Sequence, residues 1–428
     1  MNPCLQLDPG GESYFYGTHL NSGCVPHFNV TLTVHIDGKV LYQTMQEMMQ
    51  RFPQMAVGIE KRETRYFLKH LTAEFPVFKD DGTTVREMGS EEMNGYLILV
   101  SYMNKSIRFD FLHVLGDGTG FIAFIKAVVY RYLELAGFPI ENDGSILTVD
   151  QPFTPEESES VVDRLEEKGF TPPEWYVPHD AFKVPGISTD DDPSDTVVQV
   201  RIPFHKLKGV VKSYQSSPVT FIEPLFSHAI YEKYKDIIGD QTIVASIPVN
   251  MRPFFPTKTL RYFIAVAVLA HSNLFLSESF ENMLLTQKKL LKEQMDPDFL
   301  SFLARSQKKG MEQMLSLPMP VEQKVEIMDQ SIRKALGAYT YIITNMGNVD
   351  LPEVMSQYVT EFYPLLPTSI APFTIAATTL KDELILSISQ RSEKVDVCKR
   401  FVDLLNFLEI PAYIADIYKF HTMTFLPK

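Results

Sequence analysis

A histidine, an aspartate and two glycines lie close together in the segment HVLGDG, which begins at His113 and ends at Gly118. The imidazole of a histidine can remove a proton from a hydroxyl, amine or thiol near pH 7, because its unperturbed pKa is about 6.5. Asp117 could support such a histidine, or it could simply cap the helix that follows. The segment therefore indicates general base catalysis by His113, and the alternative is a buried histidine with a structural role.

The elements around this segment should hold the histidine at the end of a strand. Residues 96–103 and 106–113 are apolar runs separated by turn residues, which predicts a hairpin. His113 has the same parity as the apolar residues of the second strand, so its ring should face the packed interior. After the segment, apolar residues recur at helical spacing as far as Gly137, a residue type that commonly ends a helix.

The order of elements occurs twice along the chain. In the first half, residues 30–36 alternate as a half-buried strand does, and residues 39–52 have helical spacing. The second half ends with a predicted hairpin over residues 372–390 and a helix over residues 395–408, which repeats the hairpin and helix around His113. The place equivalent to HVLGDG in that half contains no histidine, so any chemistry should belong to the first half.

An acidic and proline-containing stretch, residues 150–195, separates the two halves. The acid run at residues 190–192 lacks the spacing of a calcium-binding loop, which favours a solvated connection over a metal site. We therefore predict two domains. Residues 1–190 form the first, with HVLGDG and the connection, and residues 191–428 form the second.

The composition excludes several classes of protein. Of the 428 residues, 45% are hydrophobic and 22% are charged, which is incompatible with a largely disordered chain. The formal net charge of −13 argues against nucleic-acid binding, because affinity for phosphates comes mainly from lysine and arginine. The sequence has no GxGxxG after a strand, no phosphate-binding GxxxxGK, no GxSxG and no HExxH.

The cysteines and the apolar runs indicate in which compartment the protein is expected. Cys4, Cys24 and Cys398 are too few and too scattered for a disulfide framework or a zinc site, and no metal is expected. The first residues lack the basic and apolar regions of a secretory signal. The longest apolar run, Tyr262–Ala270, is far shorter than the ~20 residues of a membrane span. We therefore expect a soluble, cytoplasmic protein.

Four segments in sequence order resemble the coenzyme A-dependent acyltransferase superfamily. This superfamily comprises chloramphenicol acetyltransferases, condensation domains of peptide synthetases, plant acyltransferases with an HxxxD motif, and alcohol acetyltransferase-like enzymes. Besides HVLGDG, the similar segments are IDGKVLYQTMQEMMQRFP at residues 36–53, IPVNMRPFFP at residues 247–256 and TNMGNVDLP at residues 344–352. The resemblance covers most of the chain.

The resemblance implies an α/β fold (an α+β two-layer sandwich) with two chloramphenicol acetyltransferase-like subdomains. They form a pseudo-dimer with a tunnel between them, in which a donor thioester enters from one mouth and the acceptor from the other. Acyl-CoA is the implied co-substrate, no cofactor is bound permanently, and the acceptor is a small alcohol or amine. A monomer is sufficient for catalysis, because both halves belong to one chain.

The resemblance also implies roles for individual residues. His113 is the general base, and no covalent acyl-enzyme is needed. Asp117 turns away from the substrate and pairs with Arg252 of the second half; the alternative is a helix-capping Asp117 and a surface Arg252. We expect Gly118 to allow close backbone approach at the start of the helix, and Gly116 to adopt loop conformations forbidden to other residues.

Substrate-binding residues are expected after the strand that precedes residue 344. Thr344, Asn345 and Gly347 could line the tunnel, with Thr344 or Asn345 donating toward the oxyanion. The alternative is a turn with a purely structural role. A basic mouth for the coenzyme A phosphates could include four lysines, or these could be ordinary surface residues: Lys206, Lys208, Lys212 and Lys258.

Differences from the relatives narrow the activity. Leu112 precedes His113, whereas condensation domains usually have a second histidine there, and the plant DFGWG motif is absent. The leading hypothesis is therefore an acyl-CoA-dependent O-acyltransferase of the alcohol acetyltransferase-like kind. One alternative uses a thioester carried by an acyl or peptidyl carrier protein. Another is a catalytically silent binding module of the same fold.

Overall fold

The computed structural model describes residues 4–5, 9–17, 25–82, 84–166, 170–172, 180–185, 194–368 and 371–421. The strands are β1 (Cys4–Leu5), β2 (His27–Leu32), β3 (Val57–Lys61), β4 (Tyr66–His70), β5 (Val77–Lys79), β6 (Ile98–Met103), β7 (Ser106–Phe111), β8 (Ser194–Pro203), β9 (Ile243–Asn250), β10 (Ile264–His271), β11 (Tyr341–Asn348), β12 (Val359–Leu365), β13 (Phe373–Leu380), β14 (Glu383–Gln390) and β15 (Tyr413–His421). The α-helices are α1 (Pro9–Gly17), α2 (Gly38–Arg51), α3 (Gly118–Leu135), α4 (Phe204–Ser213), α5 (Pro218–Tyr234), α6 (Asn273–Leu276), α7 (Phe280–Gln294), α8 (Pro297–Leu315), α9 (Val321–Leu336), α10 (Glu353–Ser356) and α11 (Asp396–Phe407).

Two mixed sheets form the framework, and they share one arrangement of strands. The first sheet has the order β12-β2-β7-β6-β5, and the second contains the run β15-β8-β14-β13-β11, followed by β9 and β10. In both runs the first three pairings are antiparallel and the last is parallel. A hairpin followed by a helix occurs in each, β6–β7 with α3 and β13–β14 with α11. The predicted repeat of one α/β architecture is therefore confirmed.

The two halves are interlocked through β12. This strand comes late in the chain, yet it pairs with β2 in the first sheet. The predicted boundary between residues 190 and 191 and the acid run at residues 190–192 lie outside the described residues. Part of the predicted connection is packed against the first half, because the buried Glu157 pairs with Arg51 at 2.8 Å between Oε2 and Nη1.

Separate hydrophobic cores support the two sheets. One core packs α2 and α3 against the first sheet, and the other packs α5, α7 and α11 against the second. On β13 and β14, the residues of one parity enter the second core, whereas Thr374, Ala376, Ser387 and Ser389 have the opposite parity. These four residues therefore lie on the face of the second sheet that is turned away from its helices.

The predicted elements around residue 113 are confirmed with shorter strands. The second hairpin strand ends at Phe111, and a short 3₁₀ turn occupies His113–Leu115 before α3 begins. The strand predicted over residues 30–36 ends at Leu32, since the backbone N–H of Thr33 bonds to Tyr358 outside the ladder. Within the described ranges, no helix has both the length and the hydropathy that crossing a membrane requires.

Candidate active site

The imidazole of His113 is held in one tautomer and one orientation. Its Nδ1 lies 2.8 Å from the carbonyl oxygen of Gly116, which can only accept a hydrogen bond. Nδ1 is therefore the protonated nitrogen of the neutral ring, and Nε2 keeps its lone pair. The ring of Tyr14 stacks on the imidazole with centroids 4.3 Å apart and planes 7° apart, and Tyr262 packs at 5.7 Å.

Burial favours the neutral form of this histidine. Removal of the ring from water lowers the pKa of His113 below its ordinary value of 6.5. The hydrogen bond to Gly116 and the charge of Asp117 act in the opposite direction and offset only part of this effect. His113 is consequently a neutral imidazole at pH 7, with an unprotonated nitrogen that can accept a proton.

Asp117 joins the start of α3 to the second half of the chain. Its Oδ1 accepts the backbone N–H groups of Thr119 and Gly120 at 3.1 and 3.2 Å, which caps the helix. Its Oδ2 accepts Nη1 of Arg252 and the backbone N–H of Phe263, both at 2.8 Å. The two sequence alternatives for Asp117, a cap and an ion pair, are thus both realised by one buried carboxylate.

Arg252 uses its remaining donors on the loop that follows β9. Its Nε donates to the carbonyl oxygen of Thr259 at 3.0 Å, and its Nη2 donates to that of Arg261 at 2.7 Å. The side chain is 11% exposed, so it is not a surface residue. This guanidinium fixes the segment from Met251 to Phe263 against the loop that carries His113.

Two glycines let this segment approach the helix start. A Cβ atom at Gly120 would lie 1.9 Å from the carbonyl oxygen of Leu260, and one at Gly116 would lie 2.7 Å from the same atom. At Gly118 the nearest atom would be Sδ of Met346 at 3.1 Å, so a side chain, and not the predicted backbone, approaches this glycine. The expectation of a special backbone at Gly116 is wrong, because its φ of 169° is extended; the contact with Leu260 requires the glycine instead.

A cavity of about 140 Å³ lies between the two halves and includes His113 in its wall. Its other lining residues come from the second sheet, from α1 and α3 with its N-cap, and from segments next to β2 and β12: Tyr14, Pro26, Asp117, Gly118, Thr119, Phe121, Pro248, Asn250, Ile264, Ile342, Thr344, Asn345, Met346, Leu366, Pro367 and Thr374. Five of the seven predicted site residues therefore line this cavity, and Arg252 is connected to it through Asp117.

Gly347, like Arg252, is a predicted site residue that does not line this cavity. It has a φ of +80°, and its backbone N–H donates to Oδ1 of Asn345 at 2.9 Å. Gly347 thus forms the turn that the sequence left open as an alternative, and this turn holds the amide of Asn345. The NH₂ group of that amide remains available as a donor.

Several lining residues could not be found from the sequence. Tyr14, Leu366 and Pro367 lie far from every motif, and only the folded chain brings them to His113. Thr374 lies in an apolar strand pattern that predicts a core residue. Gly120 carried a recognisable signal, since it is the third glycine within GDGTG at a helix start.

A second cavity, about 490 Å³ in volume, is lined by α8 and the segment after β9. Three positively charged residues (Arg164, Arg305 and Lys309), two acidic residues (Glu166 and Asp298) and three phenylalanines (Phe170, Phe255 and Phe302) are among its lining residues. The four lysines proposed from the sequence line neither cavity. No group of three potential metal ligands is assembled anywhere in the described ranges of the chain.

Comparison with known proteins identifies the fold. No protein-family model and no curated protein matches this sequence. Among solved structures, F. sporotrichioides TRI101 complexed with coenzyme A and T-2 is similar, with a TM-score of 0.64, 11% identity and coverage of 96% of this chain and 99% of that chain. The trichothecene 15-O-acetyltransferase TRI3 from Fusarium sporotrichioides has a TM-score of 0.62 and 12% identity over 94% of each chain.

Similarity extends to peptide synthetases. The epimerization domain from the third module of tyrocidine synthetase B has a TM-score of 0.60 and 13% identity, with 96% of this chain and 97% of that chain covered. The high coverage of these structures agrees with the fold described above, in which two similar sheets belong to one chain. The chain therefore has the same two-subdomain fold as TRI101, TRI3 and this epimerization domain.

Proposed function

We propose that this protein transfers an acyl group from a thioester to the hydroxyl, or the amine, of a small acceptor. The observation that carries the proposal is the state of His113. Its Nδ1 is bonded to the carbonyl of Gly116, its ring is neutral, and it lines a cavity formed by both halves. A silent binding module would not require a histidine in this state beside a cavity.

The reaction begins when Nε2 of His113 removes the proton of the acceptor hydroxyl. The acceptor oxygen forms a bond to the thioester carbonyl carbon, and the carbonyl oxygen becomes an oxyanion. When this intermediate collapses, the carbon–sulfur bond breaks and the thiolate leaves. The imidazolium of His113 then returns its proton to the sulfur, which gives the ester, the free thiol and a neutral histidine.

The oxyanion requires a donor close to the thioester. Thr344 and Asn345 line the cavity from β11 of the second sheet. Because Oδ1 of Asn345 is bonded to the N–H of Gly347, its NH₂ group can donate to the oxyanion. The hydroxyl of Thr344 is the other candidate donor.

Asp117 and Arg252 act as positioning residues in this proposal. Every oxygen of the carboxylate is already bonded within the protein, so Asp117 has no free acceptor to offer a substrate. Their pair links the histidine loop to the second sheet, which supplies Thr344 and Asn345. The geometry between base and oxyanion donor therefore depends on this pair.

The donor is proposed to be acyl-CoA. The second cavity combines Arg305 and Lys309, which can bind phosphates, with phenylalanine rings that can stack on a base. Phe255 of this cavity belongs to the same segment as Arg252, and the strands that flank this segment supply Asn250 and Ile264 to the cavity of His113. A bound coenzyme A in TRI101 is consistent with this assignment.

A carrier-borne phosphopantetheine thioester is the second candidate donor, because an epimerization domain of a peptide synthetase has the same fold. The test compares acyl-CoA with an acylated carrier protein, using release of the free thiol as the readout. Thiol release from acyl-CoA in the presence of alcohols or amines supports the proposal. Release only from the carrier selects the alternative, and release from neither, with no acylated product, refutes acyl transfer.

A further inference from the structure

Three buried hydroxyl groups lie on the face of the second sheet that is turned away from its helices. Thr374 is 3% exposed, and Ser387 and Ser389 are fully buried. Within the described part of the chain, the side-chain oxygens of all three have no hydrogen-bond partner. We call these three residues the hydroxyl row.

The strand register connects this row to the cavity of His113. Thr374 lines the cavity and lies between Ile342 on β11 and Ser389 on β14. Ser387 is opposite Ala376, which in turn is opposite Thr344. Cross-strand partners share a face of the sheet, so the hydroxyl row extends from the cavity wall along the sheet.

Unpartnered hydroxyls in such a place require a reason. A buried polar group without a partner destabilises the free protein, whereas valine would fit the same strand positions and favour the strand. A ligand with oxygen atoms would supply the missing partners. Ala376, whose side chain is small, lies next to Thr374 along β13 and opposite Thr344 on β11.

The position of the hydroxyl row in the sheet indicates that it belongs to the acceptor site and not to the donor site. In the second sheet, β9 and β10 lie on one side of β11. The segment between these two strands contains Phe255, which lines the second cavity proposed for the donor. The hydroxyl row lies on the other side of β11, on β13 and β14. Its groups are neutral and can both donate and accept, which suits hydroxyl or carbonyl oxygens.

We propose that the hydroxyl row binds a second oxygen function of the acceptor, and that the acceptors are neutral, multiply oxygenated small molecules and not simple alcohols. This inference rests on the proposed function, since it names the acceptor class of the same site. The thioester is attacked by one hydroxyl of the acceptor, while another hydroxyl or a carbonyl contacts Thr374 and Ser389.

The experiment compares two acceptors with one carbon skeleton, a diol and the corresponding mono-alcohol. The wild-type protein should prefer the diol in kcat/KM, and Thr374→Val and Ser389→Ala should each reduce this preference about tenfold, mainly through KM. Thr196→Val is the matched control. Its hydroxyl is also buried without a partner in the described structure, but it shares the parity of Val198 and Val200 and faces the helical core.

The inference is overturned if the wild type shows no preference for the diol, or if Thr196→Val reduces the preference as much as Thr374→Val does. Calorimetric binding of the diol to His113→Ala provides a readout without catalysis. The diol should bind about tenfold more weakly to the His113→Ala, Thr374→Val double variant than to His113→Ala alone. If this difference is found although the wild-type protein shows no turnover, the proposed reaction fails and the binding inference holds. Equal binding of the diol to His113→Ala and to the double variant refutes the inference itself.

Discussion

Arg252 of the second half donates from Nη1 to Oδ2 of Asp117 in the first half at 2.8 Å, and the same oxygen accepts the backbone N–H of Phe263. The carboxylate is 1% exposed and lies four residues after His113. Its other oxygen caps α3. One carboxylate therefore sets the start of the helix, the position of the histidine loop and the position of the loop after β9.

Removing the base should abolish the reaction and leave the fold intact. In His113→Ala, we expect kcat to fall by roughly 10²–10⁴-fold, because no other group in the cavity wall is placed to accept the proton. His35→Ala is the control, since that histidine is exposed and distant in sequence from the site. Thiol release gives kcat and thermal unfolding reports on folding; wild-type turnover in folded His113→Ala contradicts the assignment.

The pH dependence of kcat/KM should follow the free histidine. Because burial lowers the pKa of His113 below 6.5, the base stays neutral until the pH falls beneath that value. We expect kcat/KM to be constant near pH 7 and above, and to decrease at acid pH with a midpoint below 6.5. A midpoint above 6.5 would mean that the protonated form is stabilised, which contradicts the burial of the ring.

The pair of Asp117 and Arg252 should be strongly coupled. A double-mutant cycle with Asp117→Asn and Arg252→Gln is expected to give a coupling free energy of about 1–3 kcal/mol in unfolding, since both groups are buried in one hydrogen-bond network. The exposed pair of Lys61 and Glu322 is the control, and a much smaller coupling is expected there, because water screens both charges. Similar values for both pairs would show that Arg252 does not support the loop.

A methyl group at Gly120 should destabilise the protein severely. In Gly120→Ala, the new Cβ would meet the carbonyl oxygen of Leu260 at 1.9 Å, and backbone atoms on both sides would have to move. Gly209→Ala in α4 is the control, because no atom lies within 4 Å and alanine favours a helix by roughly 0.5–1 kcal/mol. Denaturant unfolding should therefore give opposite signs for the two variants, and equal effects contradict the described packing.

Charges of the second cavity should affect donor binding selectively. Arg305→Gln with Lys309→Gln is expected to raise KM for acyl-CoA several-fold, whereas KM for an acyl-pantetheine without the nucleotide phosphates should change little. Lys206→Gln with Lys208→Gln is the matched control on α4. An increase in KM for both donors alike, or in the α4 variant alone, would exclude this cavity as the phosphate site.

The sequence by itself determined the local elements and the candidate residues for chemistry. Apolar periodicity and turn residues identified both hairpins, α3 and α11, because these signals depend only on neighbouring residues. The segment HVLGDG placed His113 between a strand and a helix, and the resemblance to a known superfamily made this histidine the candidate base. The two alternatives for Asp117 remained open at that stage, because a capping bond is local whereas a partner in the other half is not.

Tertiary structure decided which distant segments complete the site. The strand β12 crosses to the first sheet, Tyr14 stacks on His113, and Leu260 explains Gly116 and Gly120, all through contacts between residues far apart in sequence. The hydroxyl row depends on the register of β13 and β14, which a single apolar strand pattern does not reveal. Period-two patterns show that residues alternate between faces, but only the packed sheets determine that one of these faces borders the cavity.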